Sequence, residues 1–244
     1  HDSILNILNR NHTLPYDHHL AMMITHGEEA SKVTDGVFSI YIKEALEEKG
    51  YGVPESAMYH DNSRIKETST VVIDNKTITL LGSKGIDLGG VGKGYLIDEL
   101  ARILREEFDL HYFVINGGGD IYATSNHGKK IELYLEHPIT DGEHIGKIHV
   151  QDTAFCSSSS FKRRWTKDDK EVNHFIANKE IWAASYVLAP SATIADIYAT
   201  VCCIESDNDQ ALHNLKEKTN IKYVVITGKA IKKISAGFPT ISDE

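Results

Sequence analysis

Apolar residues recur along this chain with two periods, one near 3.6 residues and one of 2. Leu20, Ile24 and Ala30 stand among polar residues over 17–32, and Ile42 and Leu46 over 39–49, spacings that predict two helices. Ile97, Leu100, Ala101, Leu104 and Phe108 share one helical face over 95–108, and further helices are predicted over 192–204 and 207–219. Strict alternation at Ile131, Leu133 and Leu135 predicts a half-exposed strand, and 145–155 continues as β structure. Tyr112–Ile115 reads as a short buried strand. Val71–Ile73 and Thr77–Leu80 flank Asp74-Asn75-Lys76 as a hairpin, and Lys222–Thr227 with Ile231–Ser235 forms another around Gly228-Lys229. Tyr51–Arg64, with Gly52, Pro54 and Asn62, reads as a loop. Strands joined by hairpins rather than alternating with helices predict an α+β fold. Its sheet, built from 71–80, 112–135 and 145–155, is expected to be largely antiparallel and flanked by helices.

The chain has 244 residues, 41% of them hydrophobic and 25% charged, the balance of an ordinary globular domain large enough to fold without disulfides. It shows no internal repeat and no interdomain linker, so 1–244 is expected to form one domain. A formal net charge of −9 argues against a nonspecific nucleic-acid binder, which needs basic patches for phosphates. No apolar run approaches the ~18 residues of a membrane span. Cys156, Cys202 and Cys203 are too few for a disulfide framework or zinc site, and the last two sit in an apolar run as core residues. No charged-then-apolar export signal is visible from His1 onward, a reading that leaves room for one already removed.

Chemistry concentrates in four places. Gly85–Gly94 is glycine-rich, carries Asp87, Gly90 and Lys93, and runs into the helix at 95. Glycines at a helix N-terminus let backbone N–H groups approach an anion, and Lys93 adds a point charge for a phosphate. The loop lacks the Ser or Thr that follows the lysine of a Walker motif, and no βαβ unit frames it as a dinucleotide fingerprint. It is either an anion site or a tight strand-to-helix turn. Asn116-Gly117-Gly118-Gly119-Asp120 likewise reads as a close-approach loop with polar handles at Asn116 and Asp120, or as a simple turn. Asp196 and Thr200 are four apart, so on a helix their oxygens share a face, either as hard ligands suited to Mg2+ or as ordinary exposed surface. The serine run 157–160 suits hydrogen bonding to a polar ligand, and His174 beside Phe175 is a candidate base.

Taken in order, these segments resemble the ApbE family of flavin transferases. The family's D-L-G-G-(I/V)-(A/G)-K-G-Y loop is matched by Asp87–Tyr95 and its N-(A/G)-G-G-D-I by Asn116–Ile121. Its A-D-x-x-A-T is matched by Ala195–Thr200, and its A-x-A-T-S-G-x-(Y/F)-x-R loosely by Ala154–Arg163. His174 stands where the family has a histidine before D-P-x-T-G, and Asp35–Ser39 looks like its flavin-contacting G-x-F-D turn. This chain is divergent: Ala177-Asn178-Lys179-Glu180-Ile181 replaces D-P-x-T-G, and Ser39 replaces the turn Asp.

The resemblance implies a T-fold-like α+β architecture and Mg2+-dependent transfer of FMN from FAD to a Thr or Ser of an acceptor flavoprotein, releasing AMP. It implies Mg2+ held by the Gly90 carbonyl, Asp196 and Thr200. FAD would be contacted by Val37, Phe38, Ser39, Asp87, Lys93, Asn116, Asp120 and Ser158, and His174 would serve as the base. By resemblance the setting is extracytoplasmic or membrane-anchored. The same residues serve two alternatives, an FAD pyrophosphatase giving FMN and AMP, and an FAD-binding protein without transfer.

Overall fold

The computed structural model describes residues 2–51, 68–125, 128–228 and 230–242, and most of the loop expected over 51–64 lies outside these residues. The chain divides into two compact units. One holds 1–89 and 165–176, the other 90–164 and 177–244.

The first unit opens with helices α1 (Ile4–Asn11) and α2 (His18–Val33), separated by strand β1 (Thr13–Pro15). Both helices start at side-chain caps, Ser3 accepting from the Asn6 N–H and Asp17 from the Leu20 N–H. A short α3 (Lys43–Glu48) follows. It is shorter than the helix expected over 39–49, because Asp35 and Gly36 adopt left-handed backbone and residues 35–42 are spent on the turn. The predicted hairpin is present as β2 (Thr70–Ile73) and β3 (Thr77–Leu81). Asp74 accepts from the Lys76 and Thr77 N–H groups across its turn, and β3 also pairs with β1. Leu8, Leu20, Ile24, Ile40, Ile78, Leu80 and Ile86 are the largest fully buried side chains among this unit's described residues.

The second unit is layered on a six-stranded sheet. Its strands in chain order are β4 (Tyr112–Asn116), β5 (Ile121–Ser125), β8 (Thr153–Ser159), β11 (Ala183–Ala189), β12 (Lys222–Thr227) and β13 (Ala230–Ile234). They lie side by side in that same order, each antiparallel to its neighbour. Two hairpins interrupt the series. β6 (Ile131–Glu136) with β7 (His144–Val150) intervenes between β5 and β8, and β9 (Arg164–Lys167) with β10 (Lys170–Asn173) between β8 and β11. The strands expected to join into one sheet are thus spread over three. The stretch 145–155 breaks at Asp152, which adopts left-handed backbone, so its halves enter different sheets.

Alternation sorts the central strands. Phe155, Ala184, Tyr186 and Leu188 pack with Leu133, Leu135, Ile148 and Val150 of the β6–β7 hairpin. Their neighbours on the opposite face meet α5 (Ala192–Ile204): Cys156 Sγ reaches the Ala192 carbonyl, and Ser185 Oγ donates to that of Ala199 at 2.6 Å. Covered on both faces, β11 is buried throughout. α4 (Gly92–Glu106) packs on α5, and α6 (Asp209–Thr219) begins at an Asn208 cap.

Two sequence expectations are corrected here. Tyr112–Ile115 is the sheet's edge strand, with Tyr112 61% and Val114 48% exposed. The buried side of α4 is Gly94, Tyr95, Ile97 and Ala101, whereas Leu100 is exposed and Phe108 lies past the helix end. The cause is visible at Gly94: α4 starts three residues earlier than its apolar pattern and turns its glycine toward α5.

Candidate functional site

α5 is apolar all round, and a helix of that kind must be buried. Its single charged residue, Asp196, is 2% exposed, which removes the exposed-surface alternative for this position. A buried carboxylate needs partners, and α4 supplies them. Lys93 Nζ lies 2.9 Å from Asp196 Oδ1, and the Gly94 N–H donates to Oδ2 at 3.0 Å. The N-cap of α4 is Val91, whose side chain accepts nothing, so first-turn N–H groups need acceptors from elsewhere and Asp196 takes one. The helices can come this close only because residue 94 is glycine. A Cβ there would sit 2.4 Å from the Ala192 carbonyl oxygen.

Asp120, at the end of the glycine run, is 3% exposed and pairs with the same Lys93 ammonium. Its other oxygen accepts from the Ser157 N–H at 3.0 Å. Lys93, Asp120 and Asp196 therefore form one cluster whose formal charges leave one negative charge in excess. Burial raises the Asp196 carboxyl above its ordinary value against the opposing pull of Lys93. For Lys93 burial acts downward, but Asp196 and Asp120 outweigh it and hold the ammonium above its ordinary value. One turn along α5, Thr200 Oγ1 lies 3.3 Å from Ser158 Oγ on β8. The second unit thus gathers Lys93, Asp120, Ser158, Asp196 and Thr200 through ion pairs, hydrogen bonds and one turn of α5, with Gly90 in the turn before α4.

Asn116 serves the loop itself: its Oδ1 accepts from the N–H groups of Gly118 (3.1 Å) and Gly119 (2.9 Å). Both glycines have positive φ, so the side chain closes a turn that only glycines enter without strain. Asn116→Ala should lower stability by about 0.5–1 kcal/mol and Asn116→Asp by less, because the aspartate keeps the accepting oxygen. Urea titration of the two variants checks this.

The remaining expected residues lie in the first unit. Phe38 is 5% exposed and belongs to that unit's core, with its N–H donating to Thr34 Oγ1. Val37 is half-buried, and Ser39 Oγ accepts from the Tyr41 N–H at 3.1 Å. Asp87 Oδ1 accepts from the Gly89 N–H at 2.9 Å, closing the loop from within. His174 follows β10 with its ring 4.4 Å from that of Phe175. Lys49 Nζ donates to the Asn173 and Phe175 carbonyls on either side of it, tying that segment to the end of α3.

Sequence reasoning passed over Asp98. Its carboxylate accepts from the Ala192 N–H (2.7 Å), the Thr193 N–H (2.8 Å) and Thr193 Oγ1 (2.6 Å), so one side chain of α4 caps the start of α5. On the sequence it looks like half of an acidic helix surface with Glu99. The available signal was Gly94 one turn earlier, marking a close helix approach.

Among the described residues no group of three or more His, Cys, Asp and Glu side chains is placed to hold a metal. A cation at Asp196 has to draw on hydroxyl and carbonyl oxygens as well, and Thr200 and Gly90 are donors of that hard type.

Comparison with known proteins places this architecture. The fold matches the ApbE protein of Thermotoga maritima with a TM-score of 0.81 at 21% identity, covering 95% of this chain and 81% of that one. It matches the flavin transferase ApbE of Vibrio cholerae with a TM-score of 0.72 at 17% identity, over 96% and 81%. Among curated relatives named FAD:protein FMN transferase, two cover most of this chain. One, from Haemophilus influenzae, is 24% identical over 91% of this chain and 71% of its own length. The other, from Klebsiella pneumoniae, is 24% identical over 63% of this chain and only 50% of its own length. The ApbE family profile covers residues 1–225, from the first helices through the glycine loop and α5 into β12, and by that span the chain belongs to the ApbE family.

Proposed function

We propose that this chain, acting as one domain over 1–244, transfers FMN from FAD to a Thr or Ser hydroxyl of an acceptor flavoprotein and releases AMP, with Mg2+ as cofactor. The observation that carries the reading is the buried, net-negative cluster in which a carboxylate and a hydroxyl sit one turn apart on α5. The family relatives named FAD:protein FMN transferase support the same reaction.

In the reaction the acceptor oxygen forms a bond to the FMN phosphorus, the P–O bond to the AMP phosphate breaks, and the hydroxyl proton leaves to a base. Such chemistry depends on positioning and on neutralising phosphate charge. Bound Mg2+ supplies the larger part of that neutralisation. Asp196, Thr200 and the Gly90 carbonyl hold it in this proposal, and their hard-oxygen chemistry and excess negative charge fit a dication. Lys93 binds the pyrophosphate, and Asp120 keeps the ammonium charged and aimed. His174 takes the hydroxyl proton on a ring nitrogen. Val37, Phe38, Ser39 and Asp87 would contact the flavin in this reading, the Phe38 ring itself being buried in the first unit's core. Ser158 lends a hydroxyl beside Thr200.

Incubation with FAD, Mg2+ and an acceptor flavoprotein domain tests this. Equal amounts of AMP and FMN-modified acceptor are expected. AMP without a gain in acceptor mass identifies a pyrophosphatase instead, and FAD binding with neither product identifies a binder. Lys93→Ala should weaken FAD binding by about 1.5–3 kcal/mol, the range of a charge-assisted contact. It should also lower the melting temperature, because Asp120 and Asp196 lose the cation between them. Isothermal titration and calorimetry read the two effects.

A further inference from the structure

We propose that Asp98 is a positioning residue for the metal-binding pair, holding α5 at the one offset along α4 that brings Asp196 to Lys93 and Gly94. The inference rests on the Mg2+-dependent reading above.

Three successive contacts join the helices. Lys93 Nζ meets Asp196 Oδ1, the Gly94 N–H meets Asp196 Oδ2, and one turn further along α4 the Asp98 carboxylate meets the first turn of α5. Gly94 removes the steric barrier to this approach and its N–H holds the Asp196 carboxylate, but having no side chain it gives the start of α5 no lateral stop. Its Cα faces the backbone at Ala192 and Thr193, and a smooth contact of that kind permits sliding. Asp98 stops the sliding with three donors directed at two oxygens: the Ala192 N–H to Oδ1, and the Thr193 N–H and hydroxyl to Oδ2.

α5 does not need Asp98 merely to begin. Ser191 already caps it, accepting from the Ile194 N–H at 3.2 Å, and the Ser191 carbonyl accepts from the Ala195 N–H. The Asp98 bonds come from another helix, so they fix α5 relative to α4 in addition to satisfying its end. Asp196 lies one turn beyond Ala192 and Thr200 one turn beyond that, so both ligand positions inherit the restraint.

The chemistry of the clamp distinguishes aspartate from its isostere. An Asn at 98 has one oxygen, so its NH2 must face either the Ala192 N–H or the Thr193 N–H, two donors that cannot pair. Asp98→Asn should therefore release one side of the clamp with almost no change in volume.

The test is Mn2+ binding to the full chain in the presence of FAD, followed by the loss of the free-Mn2+ EPR signal, together with thermal melting. Asp98→Asn should bind Mn2+ about 10–100-fold more weakly, the usual cost of losing a group that orients a metal ligand. Ser191→Ala removes the cap that belongs to α5 alone, so it should lower the melting temperature and leave Mn2+ affinity unchanged. Equal Mn2+ affinity in Asp98→Asn and the parent overturns the positioning role, and so does an equal loss in Ser191→Ala. If Asp98→Asn does not fold, Thr193→Val removes one bond to Asp98 and should weaken Mn2+ binding about threefold. Unchanged affinity in that variant overturns the proposal as well. Absence of Mn2+ binding by the parent chain would instead remove the metal-dependent reading and this inference with it.

Discussion

Asp196→Asn should lower FMN transfer by about 100–1,000-fold while the chain stays folded. The size follows from what a metal supplies to a transition state that gathers charge on phosphate oxygens, several kcal/mol, at about 1.4 kcal/mol for each factor of ten. The substitution keeps the shape of the side chain and removes the negative charge that leaves the cluster of Lys93, Asp120 and Asp196 in excess. With that charge gone the three groups sum to zero, and nothing in the cluster favours a dication over water. Folding should survive with a lowered melting temperature: Lys93 keeps Asp120 and the amide oxygen can still accept from the Gly94 N–H, while the amide NH2 loses the Lys93 contact. Thr200→Val takes away a neutral oxygen only and, if Thr200 is a ligand as proposed, should cost about tenfold. The assay is AMP release against Mg2+ concentration: Asp196→Asn should need far more Mg2+, and a variant that matched the parent at all concentrations would exclude α5 from the metal site.

The second large effect is structural. Gly94→Ala should lower stability by about 3 kcal/mol, the upper end of overpacking costs, because the new methyl meets backbone rather than a side chain that can turn away. For a chain of this size that is about 6–12 °C in melting temperature. Transfer activity should fall with it, since any separation of α4 from α5 lengthens the contacts of Asp196 to both Lys93 and the Gly94 N–H. Gly118→Ala provides the contrast. Nothing lies within 4 Å of its added methyl, and the cost is only that of a positive φ, about 1 kcal/mol. Scanning calorimetry on the two variants should separate them clearly.

Local patterns were the readable part of this fold. The 71–80 and 222–235 hairpins, the strand at 131–136 and α5 are written in alternation, turn residues or unbroken apolarity, and each appears where expected. β11 was not readable. Ala183-Ala184-Ser185 has little strand character by itself, and its conformation comes from β8 and β12 on either side and from covers on both faces. The exposure of β4 escaped for a related reason, since a strand's position at the edge of a sheet is decided by the other strands. In the site, the glycine loops and the Asp196–Thr200 spacing were visible because their composition is unusual. Asp98 and the inward turn of Asp196 were not, because both depend on which helix lies opposite. The lone charge in an otherwise apolar α5 was the clue to the latter.

The hairpin of β9 and β10 belongs to the first unit although it leaves the second unit's sheet after β8 and returns to it before β11. The order of synthesis gives this excursion a consequence. Residues 1–89 emerge first but lack the segment ending at Ile176, which follows roughly 90 residues later. At 5–20 residues per second the ribosome needs about 4–18 s to deliver it. During that interval β4, β5 and β8 can already pair as an antiparallel group while the older part of the chain waits for its last piece. His174 is among the latest residues of the first unit to arrive, so that unit can close only after 1–89 and most of the β4–β5–β8 group have been made.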